Sequence, residues 1–85
     1  MNYRYRIINI KSKKYLYGFF PNGIKMFDFS SGGWMVFLSK REAKDHINYM
    51  LDEVSKRKEK FGKKNELKLI ETIFEMEVEE YNAID

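Results

Sequence analysis

The chain has 85 residues, no cysteine, one histidine, one tryptophan and a formal net charge of +3. A chain this short buries little more than about 60% of its unfolded surface. Without cysteine, neither a disulfide framework nor a thiolate metal site can make up the deficit, and a lone histidine excludes Cys–His nucleophiles and multi-histidine metal centres.

Residues 3–10 read as a first strand, followed by the polar turn Lys11-Ser12-Lys13-Lys14. Residues 15–20 form a second, ended by Pro21-Asn22-Gly23, where proline presets φ and Asn-Gly accepts positive φ. A third strand is expected over 24–29, closed by Ser30-Ser31-Gly32-Gly33, and a fourth over 34–38. Short strands with short links join as hairpins, which predicts an antiparallel meander.

Ser39-Lys40-Arg41-Glu42 is a capping box at the start of a helix, in which the serine hydroxyl accepts from the Glu42 N–H and the glutamate reaches back. Ala43, Ile47, Met50, Leu51 and Val54 then recur at helical spacing. Asp52–Lys56, Glu53–Arg57 and Glu59–Lys63 are favourable i,i+4 pairs on the wet side, and Phe61-Gly62 ends the helix. Asn65 is placed to cap a second helix running to about Tyr81. Leu67, Ile70, Phe74, Val78 and Tyr81 line one side of it, and Leu69, Ile73 and Met76 widen that stripe. The expected fold is therefore α+β: one domain, residues 1–85, with a four-stranded antiparallel meander in 1–38 and two helices in 39–85 packed on one sheet face.

The two halves differ in character. Ten of the fourteen aromatic residues precede Ser39. Residues 1–41 carry +7, with Asp28 the only acid, and residues 42–85 carry −4. Every expected strand has apolar or aromatic residues on both faces, and the second helix is apolar nearly all round, so two helices leave sticky surface uncovered. Self-association as a homodimer or contact with another protein would cover it.

Protein binding is the leading functional reading. Its candidate surfaces are the uncovered aromatic sheet face, with Tyr15, Tyr17, Phe19 and Trp34, and an acidic face of the last helix, with Glu71, Glu75 and Glu79 at i,i+4 spacing. The alternative is single-stranded nucleic-acid binding, with the same aromatics stacking bases while Arg4, Arg6, Lys56, Arg57, Lys58, Lys60, Lys63 and Lys64 hold phosphates. Steep salt dependence would mark the second reading and near-indifference to salt the first. No catalytic residue, cofactor or metal is expected. His46, four residues after Glu42, suits a structural hydrogen bond, and Asp28 suits a cross-strand ion pair. The opening residues lack the apolar core of a secretory signal, and no apolar run reaches membrane-spanning length, so a cytoplasmic protein without membrane contact is expected.

Two stretches carry a resemblance. Tyr5-x-Ile7-x-Asn9 with Lys14-Tyr15-Leu16-Tyr17-Gly18 resembles the opening hairpin of GIY-YIG nucleases. Leu16 stands where that family has tyrosine, and no matching arginine and glutamate follow, so nuclease activity is not expected. The hairpin Ile10-x-x-x-x-Tyr15 and the stretch Phe37-x-Ser39-Lys40-x-Glu42-Ala43-x-x-x-Ile47 resemble small accessory proteins of bacteriophages and prophages. That resemblance implies a short non-enzymatic protein that binds and modulates or inhibits a host or defence protein.

Overall fold

The structure, a computed structural model, describes residues 2–22 and 25–83, the side chain of Lys58 excepted. Gly23 of the expected turn and Ile24, the expected start of the third strand, lie outside the described residues.

Seven elements follow in chain order: β1 (Tyr3–Asn9), β2 (Tyr15–Phe19), β3 (Phe27–Ser30), α1 (Lys40–Lys56), α2 (Lys58–Phe61), α3 (Lys63–Phe74) and β4 (Met76–Asn82). The strands form one antiparallel sheet in the order β3-β2-β1-β4. This corrects the expected meander in two respects. Among the described residues there are three helices, not two, and the fourth strand comes from the C-terminal part of the chain to lie beside β1.

β1 alternates as a two-faced strand should. Ile7 and Asn9 are buried towards the helices, and Arg4, Arg6 and Ile8 occupy the other face. Asn9 organises the hairpin that follows: its Oδ1 accepts from the backbone N–H groups of Lys11 and Ser12 (both 3.0 Å). Lys13 takes the left-handed conformation (φ 63°) that closes the turn. In β2 a bulge relative to β3 falls between Leu16 and Gly18. Tyr17 is the extra residue, thrown outward over Gly33, where a Cβ would lie only 2.7 Å from the tyrosine ring.

The expected strand over 34–38 is not one. Ser30 Oγ accepts from the N–H groups of Gly32 (3.2 Å) and Gly33 (3.1 Å), which turns the chain back across the sheet. Phe37 then exchanges both backbone hydrogen bonds with Tyr5 (2.9 Å each), and the Met35 N–H donates to the Leu16 carbonyl (3.0 Å). The segment is thus a wedge where β1 and β2 splay apart, attached to each by a few bonds.

α1 starts where the capping box places it, with Ser39 Oγ accepting from the Glu42 N–H (3.1 Å). The Glu42 carboxylate reaches one residue further back than expected, to the Leu38 N–H (3.0 Å). Ala43, Met50 and Val54 of α1 join Ile7, Leu16, Ile73 and Met76 in the core. The helix breaks at Arg57 rather than running to Phe61, and α2 is a single turn. Gly62 precedes α3 at φ 79°, ψ 156°, a conformation only glycine adopts freely. Asn65, expected as the N-cap of the second helix, lies inside α3 and donates to the Phe61 carbonyl (2.9 Å). α3 stops at Phe74, so the expected helix over residues 75–81 is instead a turn at Glu75 and strand β4.

That exchange has a physical cause. A helix continued through Glu75, Glu77, Glu79 and Glu80 would stack like charges at its negative C-terminal end. As a strand, the same residues alternate: Met76 and Val78 pack towards the core, and Glu77, Glu79 and Tyr81 face outward opposite Ile8, Arg6 and Arg4.

Candidate functional site

The outer face of the sheet, opposite the helices, is built around one cation. The Arg6 guanidinium lies 4.0 Å from the ring centroid of Tyr15, 4.5 Å from Trp34 and 4.6 Å from Tyr81. Its Nε (2.6 Å) and Nη2 (2.5 Å) both donate to Oε1 of Glu79, its cross-strand neighbour. Trp34 Nε1 donates to the Tyr81 hydroxyl (2.9 Å), which locks two walls of the cage together. The Arg6 side chain is only 16% exposed. A desolvated cation over aromatic faces contributes on the order of 2 kcal/mol, so this cluster is a stabilising plug. Arg6 fills the cage, and the rings around it are not an open stacking platform.

The four aromatics expected on one surface are thereby divided. Tyr15 and Trp34 form cage walls with Tyr81, and Tyr17 is exposed beside Gly33. Phe19 faces the helices, packed on Phe27 and Tyr49 at centroid distances of 5.5 and 5.8 Å.

The three glutamates expected on one helix face are divided as well. Glu71 is exposed on α3. Glu75 sits in the turn, where Asn9 Nδ2 (3.2 Å) and Lys11 Nζ (3.2 Å) hold its two carboxylate oxygens, and Glu79 holds Arg6 from β4. The hydrogen bonds from Asn9 and Lys11, with the lysine's charge, keep the Glu75 carboxyl below the usual range. Glu75 and Glu79 thus bind other parts of the chain.

Of the basic candidates, Arg6 is taken by Glu79, and Arg4 donates to the Tyr3 carbonyl (3.0 Å). Lys56 pairs with Asp52 (3.0 Å), and Arg57 pairs with Glu53 and also donates to Asn22 (3.4 Å). Lys60, Lys63 and Lys64 are exposed on α2 and α3, on the helical side of the sheet. The side chain of Lys58 lies outside the described part. His46 packs against the rings of Phe37 (5.4 Å) and Tyr49 (5.7 Å), and its buried Nε2 has no partner among the described residues, so burial lowers its pKa. Asp28 sits opposite Gly18 at the bulge.

Exposed apolar side chains remain in the first half, Tyr17, Phe20, Val36 and Leu38 among them, and a further set lies on α3. α3 turns Ile73 into the core, with Leu69 and Ile70 packed alongside it. Leu67 and Phe74, a helical repeat of seven apart, are 56% and 73% exposed. With Ile70 between them they form a stripe along the helix. Ile10, whose N–H donates to the Glu75 carbonyl (2.8 Å), adds an exposed side chain at the same end. The all-round apolarity of α3 signalled this stripe in the sequence. The Arg6 cage carried no local signal, because its members are far apart in the chain.

Among the described residues, no group of three or more His, Asp or Glu is placed to hold a metal ion, and no helix is long and apolar enough to cross a membrane. No protein-family model, curated protein or solved structure matches the chain.

Proposed function

We propose that this chain is a non-enzymatic protein-binding module whose principal contact is the outer stripe of α3, Leu67, Ile70 and Phe74. The observation that carries the reading is the 73% exposure of Phe74. A phenylalanine buried on contact contributes about 1.5–3 kcal/mol, and large apolar anchors of this kind dominate protein interfaces. The action that fits such a module is the one implied by the resemblance to phage accessory proteins: it occupies a surface of a host or defence protein and so modulates it. Binding of single-stranded nucleic acid is less well supported. Tyr15, Trp34 and Tyr81 of the outer face are committed to Arg6, which leaves Tyr17 as a single exposed ring, and Lys60, Lys63 and Lys64 lie across the sheet from them.

Affinity capture from host cells, with the unaltered chain and with Leu67→Glu/Phe74→Glu in parallel, tests the reading. A partner retained by the first and lost by the second is the expected result. Identical captures, or co-elution with a random oligonucleotide at low salt in place of any protein, would overturn it. Light scattering of the free chain separates a second copy from a different protein as the partner.

A further inference from the structure

The backbone of β4 is committed on one side only. Tyr5, opposite Glu80, gives both its N–H and its C=O to Phe37, on the side of β1 away from β4. In an antiparallel ladder, hydrogen-bonded and non-hydrogen-bonded pairs alternate, so Glu80 turns its own N–H and C=O outward. The two ends agree. The Ile10 N–H donates to the Glu75 carbonyl (2.8 Å) and the Ala83 N–H to the Asn2 carbonyl (2.7 Å), which makes the odd-numbered residues of this strand the ones bonded to β1. Met76, Val78, Glu80 and Asn82 therefore present their backbone donors and acceptors at the sheet edge, and no described residue bonds to them. β4 runs for 7 residues, whereas β3, the other edge, has 4.

Charge decides what can pair there. Glu77 and Glu80 are exposed beside the edge and hold no ion pair among the described residues, unlike Glu75 and Glu79. A second copy of β4 is a poor occupant. It brings the unpaired Glu77 and Glu80 of both copies to one edge with no cation on either strand to meet them, and one extended two-fold register sets Glu80 directly on Glu80. Like charges directly opposite are destabilising.

We propose that the β4 edge is a strand-addition site for an extended, basic segment of a partner protein. The segment lies beside Met76–Asn82 as a fifth strand, with lysine or arginine opposite Glu77 and Glu80. Backbone bonds supply affinity and the two glutamates supply selectivity. Glu77 and Glu80 lie on opposite faces of the strand, so the cations of the segment stand three positions apart, one to each face. The proposal rests on the reading of this chain as a protein-binding module but uses different atoms from the α3 stripe.

The test is titration of the full-length, isotope-labelled chain with a capped Val/Thr peptide as long as β4, carrying two lysines three positions apart. It is followed by amide NMR and hydrogen exchange. Amide exchange at Val78 and Glu80 should slow by about tenfold or more at saturation, and the affinity should fall as salt is raised. The same peptide with alternate N-methyl groups should not bind. Glu80→Pro removes an outward N–H while leaving the β1 ladder whole, and should abolish binding. Glu77→Lys/Glu80→Lys should transfer preference to a peptide with glutamate in place of lysine, and does so without introducing proline. The proposal is overturned if the lysine peptide does not bind, if the N-methylated peptide binds equally well, if the protected amides lie outside β4, or if the charge-reversed chain keeps its preference for lysine. Any of these results, together with a partner still captured through Phe74, removes the edge site and leaves the protein-binding reading intact.

Discussion

Arg6 shows how much one side chain can organise. It neutralises Glu79, fills the space between three rings, and ties β1 to β4 and to the wedge that carries Trp34. Lysine in its place keeps the charge but loses the planar fork and the stacking. Arg6→Lys should lower unfolding free energy by about 1–2 kcal/mol in a urea titration. Trp34, the one tryptophan, reports the change directly through its fluorescence. His46 and Glu75 make the fold sensitive to acid in two separate windows. Burial holds the His46 pKa below its ordinary 6.5, so the unfolded chain binds the proton first. Stability is then complete above about pH 6.5 and declines as pH falls from there towards the folded-state pKa. The Glu75 carboxyl is held below its ordinary 4.5, so its contribution is complete above that value and is lost as pH falls through the lower folded-state pKa. Urea midpoints measured against pH should show both declines. His46→Phe should remove the first alone, and Glu75→Gln the second alone.

At the scale of elements, the glycine before α3 sets the direction of everything after it. Gly62 has open space around its Cα, so Gly62→Ala meets no clash and its cost is confined to the backbone at φ 79°. That substitution should destabilise the fold by about 1–3 kcal/mol without moving the core, as thermal unfolding and side-chain NMR would show. Local chemistry made α1 legible, because Ser39, Glu42 and the Ala43–Val54 periodicity act within a few residues of one another. The same locality misled at β4. Glu71, Glu75 and Glu79 are spaced like a helix face, and the alternation of Met76 and Val78 is too brief to outweigh them. What selects the strand is β1, which needs a neighbour and offers Arg6 to Glu79 and Ile7 to Val78 from more than seventy residues away. The segment over 34–38 erred in the opposite sense. Its alternation is strand-like, yet the turn held by Ser30 delivers it into a gap already bounded by β1 and β2, with room for one bridge only.

At the scale of the molecule, the expected division at Ser39 into a sheet half and a helical half gives way to a closed circuit. The chain leaves the sheet after β3, crosses the helical layer, and returns as β4 to the strand with which it began. The surplus of apolar surface read from composition is real, but it is redistributed. The cage and the core absorb most of the sheet aromatics, while Tyr17, Phe20, Val36 and Leu38 in the first half and Leu67 and Phe74 on the last helix stay outside. Such redistribution is invisible to composition, because Arg6 and its three rings meet only through tertiary structure.

The circuit also has a consequence in time. β1 leaves the ribosome about seventy residues ahead of β4, the strand that completes its side of the sheet. At about 5–20 residues per second, that interval lasts from a few seconds to more than ten. Throughout it, the backbone that will meet β4 is an open edge beside half-exposed tyrosines. The nascent chain is therefore exposed to misassociation along this edge until β4 has been made.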